Sequence, residues 1–280
     1  MHRGVAALGR ALVRRLQRAV PGGGGGVTIL AYHLVGGRTG SPVDLPEPVF
    51  RSQMTELARR GSALPLSELV ESVERRRRFE SPRVVVTFDD GYENFTRRAL
   101  PVLAELGIPA TLFVLTDFVD GTRRGPLRGA ADLPPADWDE LRSLREGGRV
   151  EIGSHSRSHP DLRRLSAAEL AAELEGSAAA IERGTGARPA AFCYPRALRS
   201  RRAEAAVARV YRAAVVGGGR TNDPRRVHPH RLGRVSLRRD MPESLGEVLD
   251  ARVVLEEWIA DRVRHLRRGA AGAPRAAAAA

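Results

Sequence analysis

Short apolar runs alternate with stretches of helical periodicity along most of this chain, and that alternation limits the fold more than any other feature. The runs lie at 27–33, 84–88, 110–115, 149–153, 190–194, 213–216 and 232–237. Between them, residues 48–60 place Phe50, Met54 and Leu57 on one helical face before Gly61. Residues 66–77, 97–106, 135–147 and 166–183 repeat the pattern. Ser166, with Glu169 three residues on, forms a capping-box signature. Strands separated by helices pair in parallel and are covered on the outside. About seven such units predict an α/β fold, a distorted (β/α) barrel of about seven strands in one domain, rather than a long open sheet.

Barrels of this kind carry their chemistry at the C-terminal ends of the strands. Five residues stand there: His33, Asp89, Asp90, His155 and Tyr194. The stretch VVVTFDDGYENF ends a buried strand on two adjacent carboxylates, which repel each other. Asp90-Gly91 is also a turn signal, so a plain reversal of the chain is the simplest reading of that pair. The other polar residues at strand ends weigh against it.

The 46 basic residues are all arginine and give a formal net charge of +13. They are spread along the chain, and aromatic residues make up only 5% of it. A nucleic-acid-binding face clusters its cations and interleaves them with aromatics, so nucleic acid is not the expected partner. No stretch reaches the ~18–20 apolar residues a membrane span requires. The single cysteine, Cys193, excludes an intrachain disulfide. In residues 1–26, Arg10, Arg14, Arg15 and Arg18 interrupt any secretory apolar core. Val5, Leu8, Leu12, Leu16 and Val20 fall at helical spacing. This reads as a basic amphipathic helix, able to pack on its own domain or to lie on an anionic membrane surface, followed by a glycine linker. The expected locations are therefore the cytoplasm or the periphery of the inner membrane. Residues 27–240 form the expected catalytic domain, 241–268 a C-terminal helix and 269–280 a disordered tail.

His155 and His159 lie four apart in GSHSRSHP, on a loop or a single helical turn. Two imidazoles at that spacing can chelate one metal. No glutamate follows the first histidine, so this is not the HExxH protease site. Two histidines and one carboxylate leave positions open on a divalent ion, as in a catalytic site. One member of the aspartate pair then binds the metal, and the other stays free as a base beside a metal-activated water. The cation also relieves the repulsion between the pair. Non-haem iron oxygenases share the donor set but leave the second aspartate unexplained.

TFDDGY at 87–92, HSRSHP at 155–160 and FCYP at 192–195 resemble the polysaccharide deacetylases of carbohydrate esterase family four. AYHLV, FRSQMTEL and PATLFVLTDF are similar to the subgroup whose first strand ends in Tyr-His. The resemblance spans about residues 27–237. It implies a distorted barrel that hydrolyses acetyl groups on glycans. It makes Asp90, His155 and His159 the metal ligands, with zinc the default ion. It makes Asp89 the general base and gives Tyr194 a backbone N–H that holds the oxyanion. It points to His33 as general acid, with His228 and His230 as alternatives. The expected substrate is a polysaccharide or glycan precursor containing N-acetylglucosamine. Two positions depart from the family: Ala197 stands where a glycine is usual, and Cys193 where many members carry an arginine that orients the base. Ala197 keeps open a second reading, an inactive relative that binds glycan without cutting it.

Overall fold

The computed structural model describes residues 25–219 and 221–250, together with Ile259. The basic segment and the C-terminal tail lie outside the described residues, as does most of the expected C-terminal helix. Within that last helix, Leu245–Val248 forms one short helical turn.

Seven parallel strands close into a barrel. They are β1 (Val27–Tyr32), β4 (Arg83–Phe88), β5 (Ala110–Val114), β6 (Val150–Ser154), β7 (Ala191–Cys193), β8 (Ala213–Gly217) and β9 (Leu232–Ser236). They pair in that order, and β9 returns to β1 through Ile29–Arg234. Each corresponds to one of the seven apolar runs. A separate two-residue pair, β2 (Leu34–Val35) and β3 (Asp44–Leu45), follows His33. The fold is the distorted (β/α) barrel that the alternation predicts.

Strand parity explains which side chains enter the barrel. Successive residues of a strand face opposite sides. On β4, Val84, Val86 and Phe88 face outward and join the core under the helices. Phe88 stacks on Tyr32 and meets Phe50 and Phe95 edge-on. Such aromatic pairs contribute about 0.5–1.5 kcal/mol each beyond area burial. Val85 faces inward with Ile29, Phe113, Cys193, Val215 and Leu232. Leu66, Leu69, Val70 and Val73, from the helix Leu66–Glu74, extend this cluster. Continued along β4, the same parity sends Thr87 and Asp89 inward.

Two of the helices open on capping boxes, one of them the box expected at Ser166, while the helix Arg201–Val210 is not among those expected. The helix Ala167–Thr185 opens on a complete capping box between Ser166 and Glu169 and ends on Gly186 in the left-handed conformation. The helix Trp138–Glu146 opens on a second box, Asp137 with Glu140. No helix among the described residues is long and apolar enough to cross a membrane.

Candidate active site at the C-terminal rim of the barrel

Asp89 extends β4, its N–H donating to the Tyr32 carbonyl at 3.0 Å. On a regular strand Asp90 would point the opposite way, toward the helices with Phe88. It does not, because Asp90 adopts φ 76° and Gly91 φ 83°. Aspartate tolerates the left-handed region better than most residues. Gly91 has a steric reason as well, since a Cβ there would lie 3.0 Å from a methyl carbon of Val114. The Asp-Gly pair is thus a turn, and the turn brings both carboxylates to one site.

The two histidines reach the same place from a loop rather than a helical turn. Ser156 at φ 74° and His159 at φ 58° fold the segment back on itself. The imidazole centroids lie 4.9 Å apart. Glu173, from the helix Ala167–Thr185, fixes the loop by accepting the N–H groups of Arg157 and Ser158 at 3.0 Å each. The His155 N–H donates to the Val114 carbonyl at 2.8 Å.

A carboxylate oxygen of Asp90 and one ring nitrogen each of His155 and His159 all lie within 4.8 Å of one another. Several observations fit a cation between them. Asp90 Oδ2 is buried with no hydrogen-bond partner. Burial, and then the Asp89 charge, push the Asp90 carboxyl well above its usual range, and Arg234 only partly opposes them. His155 places Nδ1 2.8 Å from the Cys193 carbonyl. That contact requires a proton on Nδ1 and leaves the Nε2 lone pair, 3.6 Å from Asp90, free to ligate. Burial, then His155 and Arg196, lower the His159 pKa to about 2, so this imidazole is neutral as a ligand must be.

Asp89 has a different environment. Arg234, inward on β9, donates from Nη1 to Oδ1 at 2.7 Å and from Nη2 to Oδ2 at 2.6 Å. Arg234 is 5% exposed, so this is a buried bidentate pair. Burial alone would raise the Asp89 pKa, but the Arg234 charge and hydrogen bonds outweigh it and hold the carboxyl far below its ordinary value. Two neighbouring aspartates therefore titrate in opposite directions, as their different surroundings require. The same guanidinium reaches Thr87 Oγ1 at 3.0 Å and Cys193 Sγ at 2.9 Å. The arginine missing at position 193 is supplied from the neighbouring position across the barrel, where the small cysteine leaves it room.

Sequence reasoning missed Arg234. The signal was an arginine in the middle of the apolar run LGRVSL, at a position that a barrel strand must bury. A buried guanidinium requires an anion beside it.

His33 Nε2 lies 3.8 Å from Asp89 Oδ2, and its Nδ1 is buried without a partner. Burial lowers its pKa to about 4; Asp89 opposes this, while Arg234 and His155 add to it. His228 and His230 are elsewhere. They precede β9, at the opposite end of the barrel, and His230 Nε2 lies 2.9 Å from the Tyr211 carbonyl. Of the three candidate acids, only His33 stands beside Asp89.

Tyr194 corrects an expectation. Its N–H donates to the Val215 carbonyl at 3.1 Å, in register with the β7–β8 pairing, and is not available to an oxyanion. Its ring is buried against Phe192. Arg196, two residues on, lines an open cleft together with His159. Arg196 and Ala197 both adopt φ 58°. Ala197 therefore holds a left-handed turn at the position where the sequence pattern leads one to expect glycine, at a cost of roughly 1 kcal/mol.

The polysaccharide deacetylase family profile matches residues 76–214. The chitin deacetylase of Colletotrichum lindemuthianum is 30% identical over 106 residues, 38% of this chain and 38% of that protein. The poly-β-1,6-N-acetyl-D-glucosamine N-deacetylase of Escherichia coli K12 is 28% identical over 114 residues, 39% of this chain and 15% of that protein. The chain spans under two fifths of the length of the curated relatives it matches. Among solved structures, the Streptococcus pyogenes deacetylase PplD in complex with acetate superposes with a TM-score of 0.69 at 18% identity, covering 81% of this chain and 98% of that one. The chain thus carries a polysaccharide deacetylase domain, matched over residues 76–214, in the closed barrel it shares with the solved deacetylase.

Proposed function

We propose that the protein is a metal-dependent hydrolase that removes N-acetyl groups from a polysaccharide or glycan precursor containing N-acetylglucosamine. One observation carries the reading. A buried carboxylate, Asp89, is held ionised by Arg234 next to three groups, Asp90, His155 and His159, that converge as ligands. The chitin and poly-N-acetylglucosamine deacetylases among its relatives support the substrate class.

Asp90, His155 and His159 would hold the cation, and two imidazoles with one carboxylate suit zinc. Such an ion supplies Lewis acidity toward the amide carbonyl and the attacking water. Asp89 accepts the proton of that water. Arg234 fixes the direction of the carboxylate and keeps it unprotonated until then. A base so placed contributes about 10²–10⁴-fold. His33 rests neutral, so it cannot donate at the outset. From 3.8 Å it can take the proton gathered on Asp89 Oδ2 and pass it to the departing nitrogen. The positive charge of Arg196 stands at the lip beside His159, on the side where negative charge develops.

Acetate release from N-acetylglucosamine oligomers tests the reading. Turnover is expected with metal, and its loss is expected with a chelator or with Asp89→Asn. Chelator-insensitive release would remove the metal-dependent part, and undiminished release from Asp89→Asn would remove the assigned base.

A further inference from the structure

The cleft that opens beside His159 has a volume of about 770 Å³. Arg123, Arg124, Arg163, Arg164 and Arg196 line it, against one carboxylate, Asp161. That carboxylate is spent inside the cluster. Arg163 donates to its two oxygens at 2.8 and 2.7 Å, and Arg164 approaches to 3.6 Å. Arg124 in turn donates to Asp132 at 3.1 Å, so five guanidiniums stand beside two carboxylates, Asp161 and Asp132. On the outer helices the pattern differs: Arg51 meets Glu105, Arg97 meets Glu93, and Arg212 meets Glu74. The cleft lining holds no tryptophan, tyrosine or phenylalanine. A cleft built for neutral sugars would present such rings to their apolar faces. Deacetylation also leaves an ammonium on the glycan, which this lining repels. Converging guanidiniums recognise phosphate and carboxylate oxygens.

We propose that the arginine-lined cleft binds an anionic group, a phosphodiester or a carboxylate, carried by the glycan close to the N-acetyl group that is removed. The substrate is then an acidic polymer or precursor rather than a neutral chitin-like chain. The proposal rests on the deacetylase reading, which it narrows.

Three tetrasaccharides test it: a neutral N-acetylglucosamine tetramer, the same tetramer bearing a phosphodiester at C6, and a tetramer alternating N-acetylglucosamine with glucuronate. Acetate release and calorimetric binding are measured for each, at low and high salt, with the full chain and with the exposed pair Arg123→Glu/Arg164→Glu. Arg123→Gln/Arg164→Gln serves as the milder control. At least one acidic tetramer is expected to exceed the neutral one by about ten-fold in kcat/KM, and by more at low salt. Which acidic tetramer leads distinguishes phosphate from carboxylate. The charge-reversed pair is expected to lose the preference. Equal kcat/KM for all three, or a preference that survives in both pairs, overturns the proposal. No acetate from any of them, with tighter binding of an acidic tetramer that the variants abolish, supports the anion-binding cleft and removes the deacetylase reading. Absence of discrimination in binding as well removes the cleft assignment.

Discussion

The two ends of the barrel are built from the same seven strands yet follow opposite rules. At the N-terminal end Asn222 closes the gap between β1 and β9. Its amide donates to the Val27 and Gly233 carbonyls at 3.1 and 2.9 Å and accepts the Gly233 N–H at 2.8 Å. Its own backbone pairs with Val27 in both directions. At the C-terminal end the backbone is strained and polar atoms lack partners. Asp90, Ser156, His159, Arg196 and Ala197 are five of the six non-glycine residues with positive φ among the described residues, and all five follow strands at this rim. Asp90 Oδ2 and His33 Nδ1 are buried there without hydrogen bonds. At one end a side-chain amide closes the backbone gap between two strands. At the other a carboxylate and an imidazole at the rim lack partners, which in the proposed function a cation and a substrate would complete.

Substitutions at the two ends should therefore fail in different ways. The largest effect is expected at the functional end. Asp90→Asn or His155→Ala should reduce acetate release to the level of the chelated protein and abolish metal content by atomic absorption, while melting of the metal-free protein stays near that of wild type. Arg234→Met should leave metal bound but lower kcat by about 10²-fold or more, because Asp89 loses its orientation and its reason to stay ionised. An unchanged kcat would show that Arg234 is only structural.

At the other end, Asn222→Ala should cost roughly 3 kcal/mol in denaturant melts, since it strands buried backbone groups, and leave metal stoichiometry intact. A loss below about 1 kcal/mol would erase the contrast between the two ends.

Acid sharpens the contrast further. In the metal-free protein the folded-state pKa of His33 falls to about 4 and that of His159 to about 2, with His155 also lowered by burial. An unfolded histidine titrates near 6.5. Acid therefore protonates the unfolded chain first. Stability is full above about pH 6.5 and declines below it, by about 1.4 kcal/mol per pH unit for each histidine that stays neutral. The raised Asp90 carboxyl acts in the opposite sense, because the folded state gains its proton first. Three histidines outweigh one aspartate, so melting temperature should fall from pH 7 to pH 5, and more steeply in Asp90→Asn. A flat profile would mean that the histidines are not buried as described. The smallest expected effect is at Ala197, where Ala197→Gly should stabilise by up to about 1 kcal/mol by relieving the left-handed turn.

Much of this was legible in the chain. The seven apolar runs gave seven strands to within one or two residues, because a strand buried on both faces must be apolar throughout. Asp89, Asp90, His33, His155 and His159 could be placed at one rim because a parallel barrel puts every strand end on the same side. Geometry set by more distant residues was not legible. The distance from Arg234 to Asp89 spans 145 positions and depends on how β9 returns to β1. The Tyr194 N–H is taken by Val215, a neighbour that local sequence does not reveal. The arginine cleft is assembled from loops after three different strands, so the even spread of arginines along the chain concealed it.

The most direct test of the account pairs metal content with acetate release in wild type, Asp89→Asn and Asp90→Asn, assayed together on N-acetylglucosamine oligomers that carry and lack an acidic group. The division of labour between the two carboxylates predicts one metal per chain and turnover in wild type. It predicts metal without turnover in Asp89→Asn, and neither in Asp90→Asn. Turnover surviving in Asp89→Asn, or full metal in Asp90→Asn, would contradict it.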